Sequence, residues 1–467
     1  MTSTSPDAVP YPLVVRTVAL DDLAHTGTRT IGAGPGTDDA TALLDLLPAD
    51  APLAWVRRGD GLVGWGEALR ITVTGPDRFA DAERAWHEVL AHTVVRDEVA
   101  LPGTGPVAFG SFAFDEDAAA GGVVVVPRVV VGRRAGRLWL TTIDSGATLR
   151  PAPTLADVVG PLAPVLSPGA VTFGDGAVPA DRWPDVVGQA IAAIRAGELD
   201  KVVLARDVCA RTTDPLDVRW PLRRLAQQYP SCWTFSVDGM LGATPELLVR
   251  SEKGLVTSRV LAGTIRRTGD ENADVARAAI LAHSSKDLEE HEYAVASVAH
   301  ALEPFCTSIN VPDVPFVLHL PNVLHLASDV TGVLAGAAPD GTGTSPGAAG
   351  LAGLAGPTSV HPSSLALAAA LHPSAAVCGT PTAAARDLIN RIEGMDRARY
   401  AGPVGWFGAD GDGEWGIALR SAQVDTEDPR RIRLFAGCGI VAASDPAAEL
   451  AESEAKLIPM RDALASD

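Results

Sequence analysis

Four carboxylates stand at helical spacing in two separate segments of the chain. SSKDLEEHE contains Asp287 and Glu290, and PAAELAESEAK contains Glu449 and Glu452, each pair at positions i and i+3. Residues at this spacing share one face of a helix, so two such helices could bring oxygen ligands together around a hard cation. Mg²⁺ would suit such a site because it binds carboxylates, keeps several waters and accepts an oxygen from an anionic substrate. The alternative is that both pairs are solvated acidic faces, as most such runs are.

Lysine is scarce in this chain. Of the 38 lysines and arginines only four are lysines, namely Lys201, Lys253, Lys286 and Lys456, and three of these lie in dense motifs. A lysine can lose its proton when it is desolvated and act as a base, whereas a guanidinium group stays protonated. Lys201, if it is desolvated or lies near Arg206, is therefore a candidate base. The alternative is that the lysines are remnants of a biased composition.

A candidate acid and several glycine-bearing segments complete the chemical pattern. Glu246 in ATPELL follows a proline at the edge of an apolar stretch, and a carboxyl group desolvated there would stay protonated and could donate a proton. Glycines in LAGT (261–264), GPVGW (402–406) and AGCGIV (436–441) allow backbone N–H groups to approach an anion, although glycines are also ordinary turn residues. Dinucleotide, P-loop, zinc and Ser-His-Asp motifs are absent from the sequence.

The composition indicates a globular protein of the cytoplasm. Hydrophobic residues make up 47% of the 467 residues and charged residues 20%, which is enough for a large core. The net charge of −19 argues against nucleic acid or an anionic membrane surface as the main partner. The five cysteines are widely spaced and odd in number, which favours a reducing compartment. The first residues show no signal-peptide pattern, and no apolar run is long enough for a membrane span.

Two regions differ in their predicted elements. Residues 1–175 read as short strands separated by turns, with one helix at about 78–90, and form a β-rich N-terminal half. The Pro-rich stretch 151–170 could join this half to a catalytic region, 176–467.

The catalytic region mixes helices and strands. Apolar residues recur at helical spacing from Trp183, and a strand begins at Lys201. Further helices are predicted at about 273–302 and 446–457. The Gly- and Ala-rich stretch 336–357 is predicted to be a mobile loop, with a lid over a site as the alternative. Periodicity alone therefore predicts a mixed α and β protein.

Nine motifs in order give the chain a family resemblance. It resembles the chorismate-utilising enzymes, which include anthranilate synthase component I, and particularly their isochorismate synthases of menaquinone and siderophore pathways. The resemblance spans about Asp181 to Met460 and is carried by DKVVLAR (200–206), GATPELL (242–248), LAGT (261–264), SSKDLEEHE (284–292), LHLASDVTG (324–332), LHPSAAVCGTP (371–381), RYAGPVGW (399–406), GEWGIALR (413–420) and AGCGIVAASDPAAELAESEAK (436–456). The N-terminal half is similar more loosely, through PLVVRTV (12–18) and FGSFAFD (109–115).

The resemblance implies a fold and a reaction. The fold would be an α+β unit in which two antiparallel β-sheets stack face to face and are flanked by helices, with the N-terminal half contributing to the shared core. The enzyme would be an isomerase that converts chorismate to isochorismate, with Mg²⁺ as cofactor. Lys201 matches the lysine that activates water for attack on C2, and Glu246 matches the acid that protonates the departing C4 hydroxyl. A monomer without a glutaminase subunit is expected.

The resemblance also implies the metal and substrate contacts. Glu290 and Glu452 match direct Mg²⁺ ligands, and Asp287 and Glu449 match residues that hold metal-bound waters. The substrate-binding positions that it implies, which include a cradle for the enolpyruvyl carboxylate formed by the last four, are Gly263, Thr264, His325, Ala376, Tyr400, Arg420, Gly437 and Lys456.

Particular residues distinguish this chain from other branches of the family. The aminodeoxychorismate branch typically has a lysine where this chain has Ala262, and the Leu-Leu-Glu-Ser motif of feedback-inhibited anthranilate synthases is absent. Salicylate synthases share the acid, base and metal residues but also eliminate pyruvate, so they remain an alternative. A non-catalytic relative that binds chorismate is disfavoured because Lys201, Glu246, Glu290 and Glu452 are all present.

Overall fold

The computed structural model describes residues 12–21, 40–146, 151, 153–160, 163–336 and 361–466. The strands of these residues are β1 (Leu13–Leu20), β2 (Leu53–Arg57), β3 (Asp60–Trp65), β4 (Leu69–Val73), β5 (Val94–Asp97), β6 (Val107–Phe112), β7 (Gly122–Val126), β8 (Val129–Arg134), β9 (Arg137–Ser145), β10 (Val171–Asp175), β11 (Lys201–Thr212), β12 (Trp233–Val237), β13 (Met240–Thr244), β14 (Leu247–Glu252), β15 (Leu255–Arg266), β16 (Cys306–Asn310), β17 (Phe316–His319), β18 (Val323–Leu334), β19 (Gly379–Thr380), β20 (Pro403–Gly408), β21 (Gly413–Ile417), β22 (Ser421–Val424) and β23 (Arg431–Ile440). The α-helices are α1 (Arg78–Ala91), α2 (Leu155–Val159), α3 (Trp183–Arg195), α4 (Arg219–Gln228), α5 (Glu271–Ala282), α6 (Ser285–Leu302), α7 (Ser364–Leu371), α8 (Thr382–Ile392) and α9 (Pro446–Leu464).

The strands form two large sheets. The larger runs in the order β10-β11-β23-β22-β13-β12-β2-β3-β8-β9-β1-β5, with β19 beside β11. The smaller runs in the order β16-β18-β15-β14-β21-β20-β6-β7-β4, with β17 beside β18. Apart from the parallel pair of β1 and β5, the pairings among the described strands are antiparallel. The predicted α+β fold with two antiparallel sheets and flanking helices is confirmed.

Strands from before and after residue 175 lie side by side in both sheets. Strand β12 pairs with β2, so that Phe235 lies opposite Trp55, and β20 pairs with β6. The largest apolar cluster draws on both sheets and contains Trp55, Phe109 and Trp415, each of which is buried. None of the helices in the described ranges is long and apolar enough to cross a membrane.

The helices agree with the sequence predictions except at one break. Helices α1 and α3 and strand β11 begin as predicted, and α9 extends past the predicted end to Leu464. The single helix predicted at 273–302 is wrong, because α5 ends at Ala282 and α6 starts afresh at Ser285. The Ser284 side chain accepts a hydrogen bond from the backbone N–H of Asp287 and so caps the new helix. The loop predicted at 336–357 lies outside the described residues except for position 336.

Two crossovers between the sheets lie next to each other. The chain leaves the larger sheet after β13 and enters the smaller at β14 through Pro245 and Glu246, and it returns between β21 and β22 through a segment that contains Arg420. Backbone hydrogen bonds join the crossovers: Ala243 N–H donates to Arg420 O at 3.2 Å, and Ile417 N–H donates to Glu246 O at 3.3 Å. The two sheets therefore meet at this point, and the residues of the crossovers are fixed relative to both.

Candidate active site

A cleft of about 680 Å³ opens beside the crossovers. This volume includes space that is open to solvent, and the part that the centre of a water-sized sphere can occupy is about 60 Å³. Ten of the fourteen site residues predicted from the sequence line it, namely Glu246, Gly263, Thr264, Glu290, His325, Ala376, Tyr400, Arg420, Gly437 and Lys456. Of the other four, Lys201 is fully buried beside Glu290, and Asp287, Glu449 and Glu452 lie on α6 and α9 behind the wall of the cleft.

Glu246 is a buried carboxyl group on the first crossover. Its side chain is 4% exposed, and burial raises the pKa of Glu246 from 4.5 to about 8, against the lowering effect of Lys201, Lys456 and Arg420. Pro245 and Glu246 lie between β13 and β14, in a segment that belongs to neither sheet. At neutral pH this side chain therefore carries a proton that it can donate into the cleft.

Lys201 begins β11 and is completely buried. Its Nζ lies 3.3 Å from Glu290 Oε1 and makes no hydrogen bond of good geometry with the described part of the chain. A buried lysine whose amino group has one nearby carboxylate and no well-formed hydrogen bond indicates a functional role more than a structural one. Of the two alternative conditions given for a base, Lys201 meets desolvation. It does not lie near Arg206, which pairs with Glu454 and, five residues along the strand, projects from the opposite face.

A chain of three polar side chains forms one wall of the cleft. Arg420 Nη2 donates to His325 Nε2 at 2.8 Å, and His325 Nδ1 lies 3.1 Å from Thr264 Oγ1. Burial, with Arg420 and Lys456, lowers the pKa of His325 well below its usual range. The imidazole is therefore neutral, and because Nε2 accepts from Arg420 its proton lies on Nδ1. Arg420 has a positive φ of 48°, a strained conformation that is typical of functional positions.

Lys456, Gly437 and Tyr400 form the adjoining wall. Lys456 Nζ donates to Gly437 O at 2.9 Å and lies 2.6 Å from Glu452 Oε1. A side chain at position 437 would place its Cβ 2.7 Å from Leu204 O and 3.3 Å from the Tyr400 hydroxyl, so only glycine fits. The cleft thus presents Arg420 and Lys456 as cations beside a polar backbone, which suits a carboxylate.

Three of the four carboxylates predicted around the metal contact lysines. Glu449 Oε1 lies 3.0 Å from Lys286 Nζ, and with the pairs described above each of three carboxylates contacts one of three lysines. Burial, then the nearby Glu452 charge, raises the pKa of Glu449. Burial alone would lower the pKa of Lys286, but Glu449, Glu452 and Glu290 raise it, so all three carboxylates act on this one ammonium group.

The donor set fits Mg²⁺ in its chemistry but not in its present arrangement. Carboxylate oxygens on two helices are the ligands that Mg²⁺ prefers, and their mutual repulsion calls for positive charge. Among the described residues, however, no three His, Cys, Asp or Glu side chains are arranged to hold a metal ion. The lysine contacts explain this, because each directs a carboxylate towards an ammonium group instead of a shared centre.

A buried ion pair at the wall of the cleft was not expected from the sequence. Arg397 donates to both carboxylate oxygens of Glu393 at 2.7 and 2.6 Å, and also to Val203 O and Val377 O. Glu393 in turn accepts from Ala205 N–H at 2.8 Å. The pair therefore satisfies backbone groups of β11 where no neighbouring strand reaches them, and it ties β11 to the turn next to Ala376. Its only signal in the sequence is the spacing of four residues between Glu393 and Arg397.

Comparison with known proteins agrees with this geometry. Residues 55–340 and 354–465 match the family described as chorismate binding enzyme. The isochorismate synthase DhbC of Bacillus subtilis is 38% identical over 298 residues, which are 62% of this chain and 68% of that protein. The salicylate biosynthesis isochorismate synthase of Pseudomonas aeruginosa is 33% identical over 443 residues, 89% of this chain and 85% of that protein.

A solved structure shows the same fold. The Bacillus anthracis protein described as the 2,3-dihydroxybenzoate-specific isochorismate synthase DhbC superposes with a TM-score of 0.70 and 29% identity, over 91% of this chain and 99% of that one. The match to the family covers the strands of both sheets except β1 and the first residues of β2, and all the elements that build the cleft. The chain belongs to the chorismate binding enzyme family.

Proposed function

We propose that this protein is an isochorismate synthase that converts chorismate to isochorismate with Mg²⁺ as cofactor. The observation that carries the proposal is the buried Glu246 carboxyl group in a cleft that also presents Arg420 and Lys456. A dianionic ring with a leaving hydroxyl group needs both features, a proton donor and positive charge. The similarity to isochorismate synthases over most of the chain supports the same reaction.

The cations of the cleft would bind one substrate carboxylate. Arg420 projects into the cleft with its orientation set by His325, and Lys456 offers a compact ammonium group beside Gly437 O. In a protein of net charge −19, such local positive charge is needed to hold a dianion against the overall field. Tyr400, which stacks on Phe435 with ring centroids 5.0 Å apart, would define the wall beneath this carboxylate.

The proton transfers would be divided between two buried groups. Lys201 would take a proton from the water that attacks C2. Glu246 would give its proton to the C4 hydroxyl as that group departs. Both double bonds of the ring diene would shift by one position, from C1=C2 and C5=C6 to C1=C6 and C4=C5. One water enters and one leaves, so the reaction is an isomerisation. Positioned acid and base groups contribute about 10²–10⁴-fold each to such reactions.

The second carboxylate of the substrate would be bound through the metal. Glu290 and Glu452 would hold Mg²⁺ directly, and Asp287 and Glu449 would hold its waters. The ion supplies charge neutralisation and orientation when it is bound. Gly439 leaves room for this arrangement, because a Cβ at that position would lie 2.2 Å from Glu290 Oε1.

Water instead of ammonia is the proposed nucleophile, so no glutaminase partner is needed. As the family resemblance implies, the protein would act as a monomer. The position that typically carries lysine in the aminodeoxychorismate branch is Ala262, and this alanine lines the cleft. An alanine there has no amino group, so it cannot take the role that the lysine has in that branch.

A single incubation tests the proposal. Purified protein with chorismate and MgCl₂ is analysed by liquid chromatography for isochorismate, and in parallel by a lactate dehydrogenase assay for pyruvate. We expect isochorismate without pyruvate. Stoichiometric pyruvate with salicylate would instead establish a salicylate synthase, and the absence of any product would refute both functions. Omission of Mg²⁺ with a chelator present should abolish turnover, and MgCl₂ should restore it.

A further inference from the structure

Lys286 holds a position that its local structure does not favour. It lies in the first turn of α6, where the aligned peptide dipoles give the helix terminus a partial positive charge. A cation there is destabilising unless nearby anions compensate for it. The compensation comes from α9, because Lys286 Nζ donates to Glu449 Oε1 at 3.0 Å. Glu449 therefore keeps the ammonium group in place, and the helix does not.

The Glu449 carboxylate is bound by two side chains while Lys286 is in place. Its side chain is 2% exposed and also hydrogen-bonds to the Ser444 side chain, so its carboxylate is buried and engaged on two sides. Lys286, by contrast, is 34% exposed and has a flexible stem that reaches solvent. Of the two partners, only the lysine can move into solvent, and a cation that replaced it would keep the buried Glu449 carboxylate compensated.

We propose that Lys286 is a tethered cation that occupies Glu449 until a divalent cation binds, and that the metal displaces it from the carboxylate cluster. The inference rests on the proposed Mg²⁺ site. It explains why the carboxylates, which repel one another, form a stable cluster whose side chains do not surround a common centre. Lys201 and Lys456 contact Glu290 and Glu452 in the same way, but Lys456 lines the cleft and Lys201 is the proposed base, whereas Lys286 has neither role.

Displacement predicts that removing the ammonium group tightens metal binding. In Lys286→Met the metal no longer competes with an internal cation, so Mg²⁺ should bind about tenfold more tightly in the absence of chorismate. A tenfold change corresponds to about 1.4 kcal/mol. Lys286→Arg keeps the charge and should not tighten binding. Lys253→Met is the matched control, because Lys253 lies in a turn next to Asp412 and should leave the affinity unchanged.

The scarcity of lysine makes displacement directly visible by NMR. Protein labelled with ¹³C and ¹⁵N in lysine gives four side-chain signals, one for each lysine of the chain, and single variants assign them. We expect the Lys286 signal to move on MgCl₂ titration towards the position of a solvated lysine, while the Lys253 signal stays in place. This measurement uses the unmodified protein, so it does not depend on a variant that folds.

The outcomes separate this inference from the proposed function. If the Lys201 and Lys456 signals follow MgCl₂ and the Lys286 signal does not, or if Lys286→Met binds Mg²⁺ with the affinity of the parent, displacement of Lys286 is wrong although the metal site stands. If none of the three signals moves at any MgCl₂ concentration, the metal site itself is wrong and this inference fails with it. Isochorismate formation, measured separately, then shows whether the reaction assignment survives.

Discussion

Replacing Glu246 with Gln separates the catalytic role of this carboxyl group from its effect on the fold. Gln has nearly the same shape but cannot donate the proton, so kcat should fall by about 10²–10⁴-fold, the usual contribution of a general acid. In the parent protein Glu246 must be protonated to act. Because burial raises the pKa of Glu246 to about 8, kcat/KM should decline as the pH rises above about 8.

The same substitution should stabilise the protein at alkaline pH. The folded state holds the Glu246 proton up to about pH 8, whereas the unfolded chain releases it near 4.5. The folded state therefore binds more protons between these values, and stability falls as the pH rises through this interval. At about 1.4 kcal/mol per pH unit, the loss reaches an upper limit of about 5 kcal/mol above pH 8. Gln has no charge to bury, so Glu246→Gln escapes this loss.

The assay compares thermal unfolding at pH 5.5 and pH 9 with steady-state kinetics. The gain in melting temperature of Glu246→Gln over the parent should be clearly larger at pH 9. Glu83→Gln is the control, since Glu83 is also buried, with a pKa raised to about 7 by burial, but lies outside the cleft. It should gain stability at pH 9 and keep the parent kcat/KM. An equal gain at both pH values for Glu246→Gln would refute the buried, protonated carboxyl group, and a parent-like kcat would refute its role as acid.

Three further substitutions test other groups. Lys201→Arg replaces the base with a group that stays protonated, so kcat should fall by about 10²–10⁴-fold with little change in KM, and a parent-like kcat in steady-state kinetics would contradict the assignment. Arg420→Lys loses the planar fork that binds His325 and a carboxylate, so KM for chorismate should rise about 10–100-fold; an unchanged KM would show that the carboxylate binds elsewhere. Glu393→Ala leaves Arg397 buried without its partner and should lower the free energy of unfolding by about 3–5 kcal/mol, measured by urea denaturation, whereas a neutral effect would mean that water replaces the carboxylate.

Most of the residues that line the cleft were expected from the family resemblance, because they lie in short, ordered motifs, whereas Lys201 and Glu246 were also expected from local patterns. Strand β11 begins at Lys201, as the apolar run after a helix indicated, and the Pro-Glu step before β14 places Glu246 at a boundary between elements. The helix predicted at 273–302 failed for a local reason. Helical periodicity continues through Ser284, and only its capping pattern with Asp287 marks the new start.

What the sequence could not predict depends on contacts between distant segments. Glu393 and Arg397 bind backbone groups nearly 200 residues away, and no pattern shows which backbone groups lack a neighbouring strand. The contact of Lys286 with Glu449 joins α6 to α9 in the same way. Lysine scarcity drew attention to Lys201, Lys286 and Lys456, but their partners follow from the packing of α6 on the smaller sheet and of α9 on the larger one.

The position of Glu246 and Arg420 on adjacent crossovers has a consequence for how this site can diverge. Because each crossover joins the two sheets, a change in the spacing between the sheets would move both residues. The width of the site therefore depends on the residues packed between the sheets. The Trp55 ring and Glu246 O both lie within 3.0 Å of where a side chain at Gly416 would project, which links a residue of the N-terminal half to the acid. Substitutions at these buried positions between the sheets would change the shape of the site, and so which substrates it accepts, without altering any group that touches the substrate. New specificities could therefore arise from residues that an inspection of the cleft alone would overlook.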